Sequence, residues 1–375
     1  MSILKPIKGL DAGAYENFAS FCRQDYAGSF DIHFAVADPQ DPATQIIAKL
    51  QQDFPELSIR LLVAPPLGAN PKIASLHALA GQATGDILVI SDGHIRVGPD
   101  YLSRVTAPLA DPTAGLVTCA YRGLAPVGLP ARLAVLHMSG LFLPAVALAH
   151  RMGQRIGMGA TVALRRGDLL AAGGFAAVAD HMLDDYEIVR LIEQRGLRTV
   201  LSPYVVGSVL GRVSFRQQWV REVRWARGIR LLGMGKYTGM LVTWPIPWAF
   251  ALLISSGFSR WGALVLGLTL FMRWIVTADI ARRLQKGYAN LPLLPVRELM
   301  SLAVWCAGAM GCRITWRGQT FVLRRDGRLE PFPLSRRSGG ESGRADKKDA
   351  VVVIRPLDGG PGSSPSPGTP GEGRG

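Results

Sequence analysis

Two apolar runs, 240–258 and 261–280, follow one another with almost no polar interruption, and they limit this chain's folding more than any other feature. Inside a bilayer no water satisfies backbone amides and carbonyls, so such runs must close their hydrogen bonds within a helix. The first has 19 residues and would be about 28 Å long at ~1.5 Å per residue, close to the ~30 Å of a hydrocarbon core. Pro245 and Pro247 are placed to kink it. A third run, 299–312, has 14 residues between Glu298 and Arg313, a length that suits a re-entrant or interfacial segment. Arg230 and Lys236 before the first span, with Arg282 and Arg283 after the second, put both ends on the cytoplasmic side. The region 237–330 therefore reads as two full spans and one half-buried segment. Arg273 inside the second span is explained by snorkelling or by pairing with Asp279.

Ahead of these runs, 1–210 alternates β-rich stretches (30–36, 58–63, 86–90, 115–119, 198–201) with helical ones (14–23, 44–53, 185–195). That alternation implies an α/β sheet with helices on its faces, and ligands of such sheets bind at the carboxyl ends of the strands. One apolar stretch, 133–149, interrupts the pattern and reads as a helix lying on a membrane surface. The segment 211–236 carries Arg216, Arg221, Arg224, Arg227 and Arg230 among Phe215, Trp219, Val223 and Trp225, an interfacial amphipathic helix by composition. From 335 to 375 the chain turns to Gly, Pro and Ser and is expected to be disordered.

Of 375 residues, 48% are hydrophobic and 19% charged, enough for a sizeable core. The net charge of +14 admits nucleic acid, an anionic membrane or phosphorylated small molecules as partners. Arginines flanking apolar runs favour the membrane, and no nucleic-acid module is present. Cys22, Cys119, Cys306 and Cys312 form no metal-ligand spacing and read as reduced thiols. No basic segment followed by an apolar one opens the chain, so no signal peptide is expected.

Five places carry candidate chemistry. Asp38 ends a strand in Ala37-Asp38-Pro39, where a carboxylate binds a nucleotide base or ribose, or else starts a turn. Asp92 follows the apolar run 87–90, with His94 two residues on; the pair suits a divalent cation, Mn²⁺ better than Mg²⁺ because of the imidazole, or is a plain polar turn. Gly68-Ala69-Asn70-Pro71-Lys72 opens a helix, so backbone amides and Lys72 can face a phosphate, although turn geometry alone accounts for the Gly, Asn and Pro. Asp184 and Asp185 start the next helix; one suffices as a cap, and adjacent carboxylates raise one pKa towards working pH. Arg221, Arg224 and Trp225 share the basic helix and are either a diphosphate clamp with a stacking face or lipid-facing residues.

Together these residues resemble the ceramide glucosyltransferase family and its bacterial hopanoid-associated relatives, inverting glycosyltransferases with the GT-A fold, a Rossmann-like α/β domain for nucleotide-diphospho-sugars. The resemblance covers 3–329 and rests on Leu4-Lys5-Pro6 with Lys8-Gly9, Asp38-Pro39, Asn70-Pro71-Lys72, Asp92 with Ile95-Arg96-Val97, Tyr121-Arg122-Gly123, Gly159-Ala160-Thr161, Gly173-Gly174-Phe175, Asp185-Tyr186 and Arg221-x-x-Arg224-Trp225. It implies a UDP-sugar donor, glucose or N-acetylglucosamine, and a ceramide or hopanoid acceptor in a membrane, with the catalytic domain on the cytoplasmic face; the Ala, Gly, Arg and Pro content points to a bacterial inner membrane. Lys5 and Pro6 would lie in the donor site, Asp38 on the uridine, Asp92 on the metal or diphosphate, and Asp185 would be the general base. Arg224 and Trp225 would close over diphosphate and acceptor, with Arg221 beside them. Two departures stand out. Gly93-His94 follows Asp92 where relatives often have a second carboxylate, and the family's N-terminal membrane helix is not in the sequence, so either the start lies upstream or the later helices suffice. The competing readings are a processive polysaccharide synthase and an inactive nucleotide-sugar or lipid binder.

Overall fold

The computed structural model describes residues 1–284, 290–316 and 319–332, and beyond them only the backbone of Val353–Ile354. Aliphatic and β-branched runs build one mixed sheet from β1 (Ser2–Pro6), β2 (Asp31–Val36), β3 (Ser58–Val63), β4 (Ile87–Ser91), β5 (Ile95–Arg96), β6 (Ala114–Val127), β7 (Thr161–Arg165) and β8 (Arg198–Arg212). Their order is β3-β2-β1-β4-β7-β6-β8-β5, and Val353–Ile354 adds antiparallel at the β3 edge. The expected disorder of 335–375 otherwise lies outside the described residues.

β7 runs antiparallel to both its neighbours, whereas β1 to β4, β6 and β8 share one direction and so present their carboxyl ends at a common edge. From β1 the chain builds outward to β2 and β3, then returns through the helix Pro71–Gln82 to β4 on the other side of β1. That reversal opens a crevice at the ends of β1 and β4. Both faces of the sheet are covered, which is why its central strands are apolar throughout rather than alternating. Ile3, Phe34 and Val89 pack with Phe18, Phe21, Ile47 and Leu50 on one face. Leu4, Ala35, Leu88 and Ile90 pack with Ile73, Leu76, Leu79, Ile188 and Ile192 on the other.

The expected elements are present with small boundary shifts, including the helices Ala14–Cys22, Ala43–Asp53, Asp184–Gln194 and Phe215–Leu231. β1 and β7 are additional, and β6 and β8 are much longer than the runs 115–119 and 198–201. They continue past the sheet as a paired parallel ribbon to Val127 opposite Arg212, with two register shifts on the way. A further sheet of β9 (Arg313–Trp316), β10 (Gln319–Leu323) and β11 (Leu329–Pro331) packs Ile314, Phe321, Leu323 and Leu329 around Met182. The region 237–330 thus ends in a small sheet rather than in membrane helices.

The apolar helices depart from the expected count of two spans and one half-buried segment. Among the described residues Leu129–Arg151, Arg260–Arg283 and Leu291–Ala309 are each long and apolar enough to cross a membrane. The stretch 133–149 belongs to the first, a 23-residue run whose middle turn, His137–Phe142, is π-helical. The run 240–258 is broken: Met234–Thr243 meets Pro245–Ser255 at 70°. Trp244 with Pro245 and Pro247 makes the break, since a proline ring cannot continue a preceding helix. At 11 residues, Pro245–Ser255 is only about 16 Å long. The run 299–312 is the end of a longer helix whose first turns include Arg297 and Glu298. These charges do not end the apolar segment because both are paired inside it: Arg297 with Glu222 at 2.8 Å and Glu298 with Arg273 at 2.6 Å. Asp279, the expected partner of Arg273, binds Arg282 and Arg283 instead. The four cysteines are free thiols, Cys22 and Cys119 buried and Cys306 and Cys312 exposed.

A close approach at the start of β4 is a test of the packing. A Cβ on Gly85 would lie 2.5 Å from the Met1 backbone, so Gly85→Ala should lower stability by about 1–3 kcal/mol, read as a lower thermal midpoint.

Candidate active site

Lys72 organises the carboxyl edge of the sheet. Asn70 caps the helix Pro71–Gln82, its side-chain oxygen accepting from the amides of Lys72 at 3.0 Å and Ile73 at 3.3 Å. Its amide group donates to His181 O at 2.8 Å and to Asp184 Oδ1 at 3.4 Å, fastening the helix start to the loop before Asp184–Gln194. The cap aims Lys72 inward. Its Nζ lies 2.8 Å from Asp92 Oδ1 and 3.9 Å from Asp184 Oδ2, and donates to Gly159 O at 3.3 Å. Burial disfavours the ammonium, but Asp92 and then Asp184 outweigh it and raise its pKa, so Lys72 is a permanent cation here.

Asp185 is partly exposed beside this cluster. Gly159 N donates to its Oδ2 at 2.7 Å and Tyr186 N to its Oδ1 at 2.9 Å. Withdrawal from water, and next the neighbouring charge of Asp184, push its carboxyl up to about 6 against the pull of Lys72 and the two amides. The raised carboxyl expected of an adjacent acidic pair is therefore present, but the capping role considered for one of the two is not filled. Neither side chain caps the helix; Asp184, buried and also raised by burial, faces Lys72 and Asn70. A Cβ on Gly159 would sit 2.8 Å from Lys72 Nζ, so any side chain there would displace that ammonium.

Lys5, at the end of β1, is fully buried. Its ammonium lies 3.6 Å from the centroid of the Phe21 ring and donates to Asp92 O at 3.2 Å. Burial lowers its pKa to about 7, with Asp92 as the main opposing charge. Pro6 follows it, also buried. Asp38 lies just past β2, exposed, its Oδ1 accepting from Gln40 N at 2.9 Å in a tight turn. Asp41 braces that edge by accepting from Gly9 N at 2.7 Å and Ala43 N at 2.9 Å.

The basic helix Phe215–Leu231 starts with a capping box between Ser214 and Gln217. Trp225 packs with Tyr121 beside Ala131, Ala134, Val135 and Met138 of the first apolar helix. The Arg221 guanidinium is 5.5 Å from the Trp225 ring, and its Nε and Nη2 are buried without a hydrogen-bond partner. Buried, unmatched donors of this kind are an anion-binding arrangement. Arg224 lies 5.1 Å from the ring of Trp316 in β9. Tyr121 links the two halves of the site: after burial, its hydroxyl is raised most by Asp185, while Arg221 opposes.

Lys5, Lys72, Asp92 and Asp185 are thus drawn together as expected, with Lys72 engaging carboxylates rather than only a prospective phosphate. Tyr121, Gly159 and Trp316 are site residues that residue-level reading did not single out. Tyr121 and Gly159 are carried only by the family motifs Tyr121-Arg122-Gly123 and Gly159-Ala160-Thr161, and Trp316 has no signal of its own because its place depends on the small sheet. For a divalent cation, no group of three His, Cys, Asp or Glu side chains that could hold it exists among the described residues. Asp92 with His94 is a donor set that fits such an ion only when substrate phosphate oxygens complete its coordination, a common arrangement for Mg²⁺-type sites. Replacing Lys72 by Met should remove the cation nearest Asp92 and Asp184 and cost about 3 kcal/mol, measurable by chemical denaturation.

Three comparisons bear on identity. The model of glycosyl transferase family 21 matches residues 1–329. Ceramide glucosyltransferase 1 of Caenorhabditis elegans is 23% identical over 88% of this chain and 72% of its own length. Ceramide glucosyltransferase 3 of the same organism is 21% identical over 88% and 74%. Among solved structures, the mannosyltransferase PcManGT from Pyrobaculum calidifontis in complex with GDP-Man and Mn²⁺ has a TM-score of 0.49 and 18% identity, over 82% of this chain and 85% of that one. With the family matched along nearly all of the described residues, this chain belongs to glycosyl transferase family 21 and is a sugar-transferring enzyme.

Proposed function

We propose that the protein is a membrane-bound inverting glycosyltransferase that moves one glucose or N-acetylglucosamine unit from a UDP-sugar to the hydroxyl of a ceramide- or hopanoid-type lipid. The observation that carries the reading is Asp185, a carboxyl at about 6 held by two amides on the edge where the apolar helices also begin. β6 leads into Leu129–Leu136 and β8 into Phe215–Leu231 from that same edge. Arg260–Arg283 supports lipid contact, because Trp261, Leu268, Phe271, Met272 and Trp274 are exposed along it and little of it is buried by the other described residues. The names of the family relatives, ceramide glucosyltransferases, supply the acceptor class; the basic flanks of the helices favour a cytoplasmic catalytic face.

In this reading Asp185 takes the proton of the acceptor hydroxyl as that oxygen attacks the anomeric carbon from the face opposite UDP. The bond from that carbon to the diphosphate breaks, its electron pair leaves with UDP, and the configuration inverts. Lys72 holds Asp92 and Asp184 in place and adds positive charge. Arg221 offers its unmatched donors to the diphosphate, while Arg224 and Trp225 close over diphosphate and acceptor, and Asp38 receives the uridine. Lys5, poised near neutrality, becomes fully protonated when the diphosphate approaches. A divalent cation held at Asp92 and His94 together with the diphosphate would neutralise charge on the leaving group.

Asp185→Asn should lower transfer by roughly 10²–10⁴-fold while UDP binding by calorimetry survives; unchanged turnover would sink the assignment, and mass spectrometry of the lipid product distinguishes one added sugar from a polymer. Because the base works only when ionised, the wild-type rate should fall as pH drops through about 6. UDP binding should take up a proton when measured above the Lys5 value of about 7, seen as a dependence of the calorimetric heat on buffer ionisation enthalpy.

A further inference from the structure

Arg297 is the largest side chain in the structure that is fully buried. It lies in the first turns of the helix Leu294–Ala309 and presents its fork to Glu222 of the basic helix, Nη1 to Oε1 at 2.9 Å and Nη2 to Oε2 at 2.8 Å. Ser301 Oγ accepts from Arg297 Nε at 3.2 Å and Nη2 at 3.0 Å, and Gln218 Nε2 donates to Glu222 Oε1 at 2.9 Å. Nearby the two helices pack closely, since a Cβ on Gly308 would come 2.6 Å from Ala226 Cβ. A buried ion pair adds little net stability, because desolvating both charges offsets their attraction, and an apolar pair would hold two helices as well. What the fork supplies is geometry: two parallel bonds resist both rotation and sliding of the helix that carries Glu222.

The neighbours of Glu222 are Arg221, Arg224 and Trp225. Consecutive helical residues are turned by ~100°, so fixing Glu222 against Arg297 fixes where the unmatched Arg221 donors point. We propose that the Glu222–Arg297 pair is a positioning device for donor binding, holding Arg221 and Arg224 towards the diphosphate from an anchor in an apolar helix. The proposal rests on the reading of those arginines as the diphosphate clamp. A second buried pair provides a control. Glu298 binds Arg273 Nε at 2.6 Å and accepts from Ile246 N at 3.0 Å, joining the same helix to the other apolar helices through contacts that leave the basic helix untouched.

The test compares full-length wild type with Arg297→Met, the double variant Glu222→Gln/Arg297→Met, and Glu298→Gln, each in detergent, by thermal unfolding, UDP calorimetry and KM for the UDP-sugar. Arg297→Met should lower the midpoint by stranding Glu222 and weaken UDP and raise KM about tenfold. The double variant should recover the midpoint, since neither charge remains buried alone, yet keep the weak UDP binding and high KM. Glu298→Gln should lower the midpoint with UDP affinity within about twofold of wild type. If the double variant recovers stability and affinity together, or if Glu298→Gln weakens UDP as much as Arg297→Met, the pair is merely structural and the proposal is overturned. Should Arg297→Met fail to fold, the double variant decides alone. Wild type that binds no UDP would instead overturn the proposed function.

Discussion

A single ammonium group, that of Lys72, makes the carboxyl edge of this sheet possible. Asp92, Asp184 and Asp185 come from two distant parts of the chain, and their negative charges would drive those parts apart in a site shielded from water. Lys72 reaches the first two directly and lowers the pKa of the third. It can do so because Asn70 spends both ends of its amide on fixing the start of the Lys72 helix and the loop before Asp184. The raised carboxyl of Asp185 is thus a balance. Burial and Asp184 push it towards neutrality, Lys72 and two amides pull it back, and it comes to rest where a base is both ionised near neutral pH and willing to accept a proton.

The apolar half of the molecule is assembled by the opposite device, a few charges inside a greasy bundle. Arg297 and Glu298 are adjacent in sequence but face different helices, one binding the basic helix and the other the long Arg260–Arg283 helix. Apolar surfaces alone slide past one another with little penalty, whereas a charge that loses its partner there is costly. Two such pairs on one helix define its register with respect to its neighbours. Among the described residues the outer face of Arg260–Arg283 has no such pair and stays exposed.

What could be read from sequence follows which elements are specified locally. The basic helix Phe215–Leu231 was legible within a few residues, as the segment 211–236, because arginines and aromatic residues concentrate there. The acidic pair was legible because one cap does not need two carboxylates. β1 was not, since its Lys5 is tolerable in a buried strand only through the Phe21 ring and the carbonyl of Asp92, both remote in sequence. Arg297 and Glu298 looked like the end of an apolar run for the same reason, their partners being 75 and 25 residues away. The extensions of β6 and β8 are interrupted by Pro126, Pro203 and several glycines, so even the β-rich Tyr204-Val205-Val206 does not mark a continuous strand, and each is completed by pairing with the other. Trp316 could be related to Arg224 only once the small sheet was known to fold back over the site.

The ribbon formed by those extensions sets a length. Both strands leave the sheet in the same direction and each runs into a helix, Leu129–Leu136 or Phe215–Leu231, so in the membrane-bound reading proposed above the site would stand on a stalk of fixed height above the lipid. Each residue pair contributes about 3.3 Å. A family member with a shorter or longer ribbon would reach to a different depth, and the protein would select among acceptors by how far their hydroxyl projects from the membrane as well as by the shape of their apolar body.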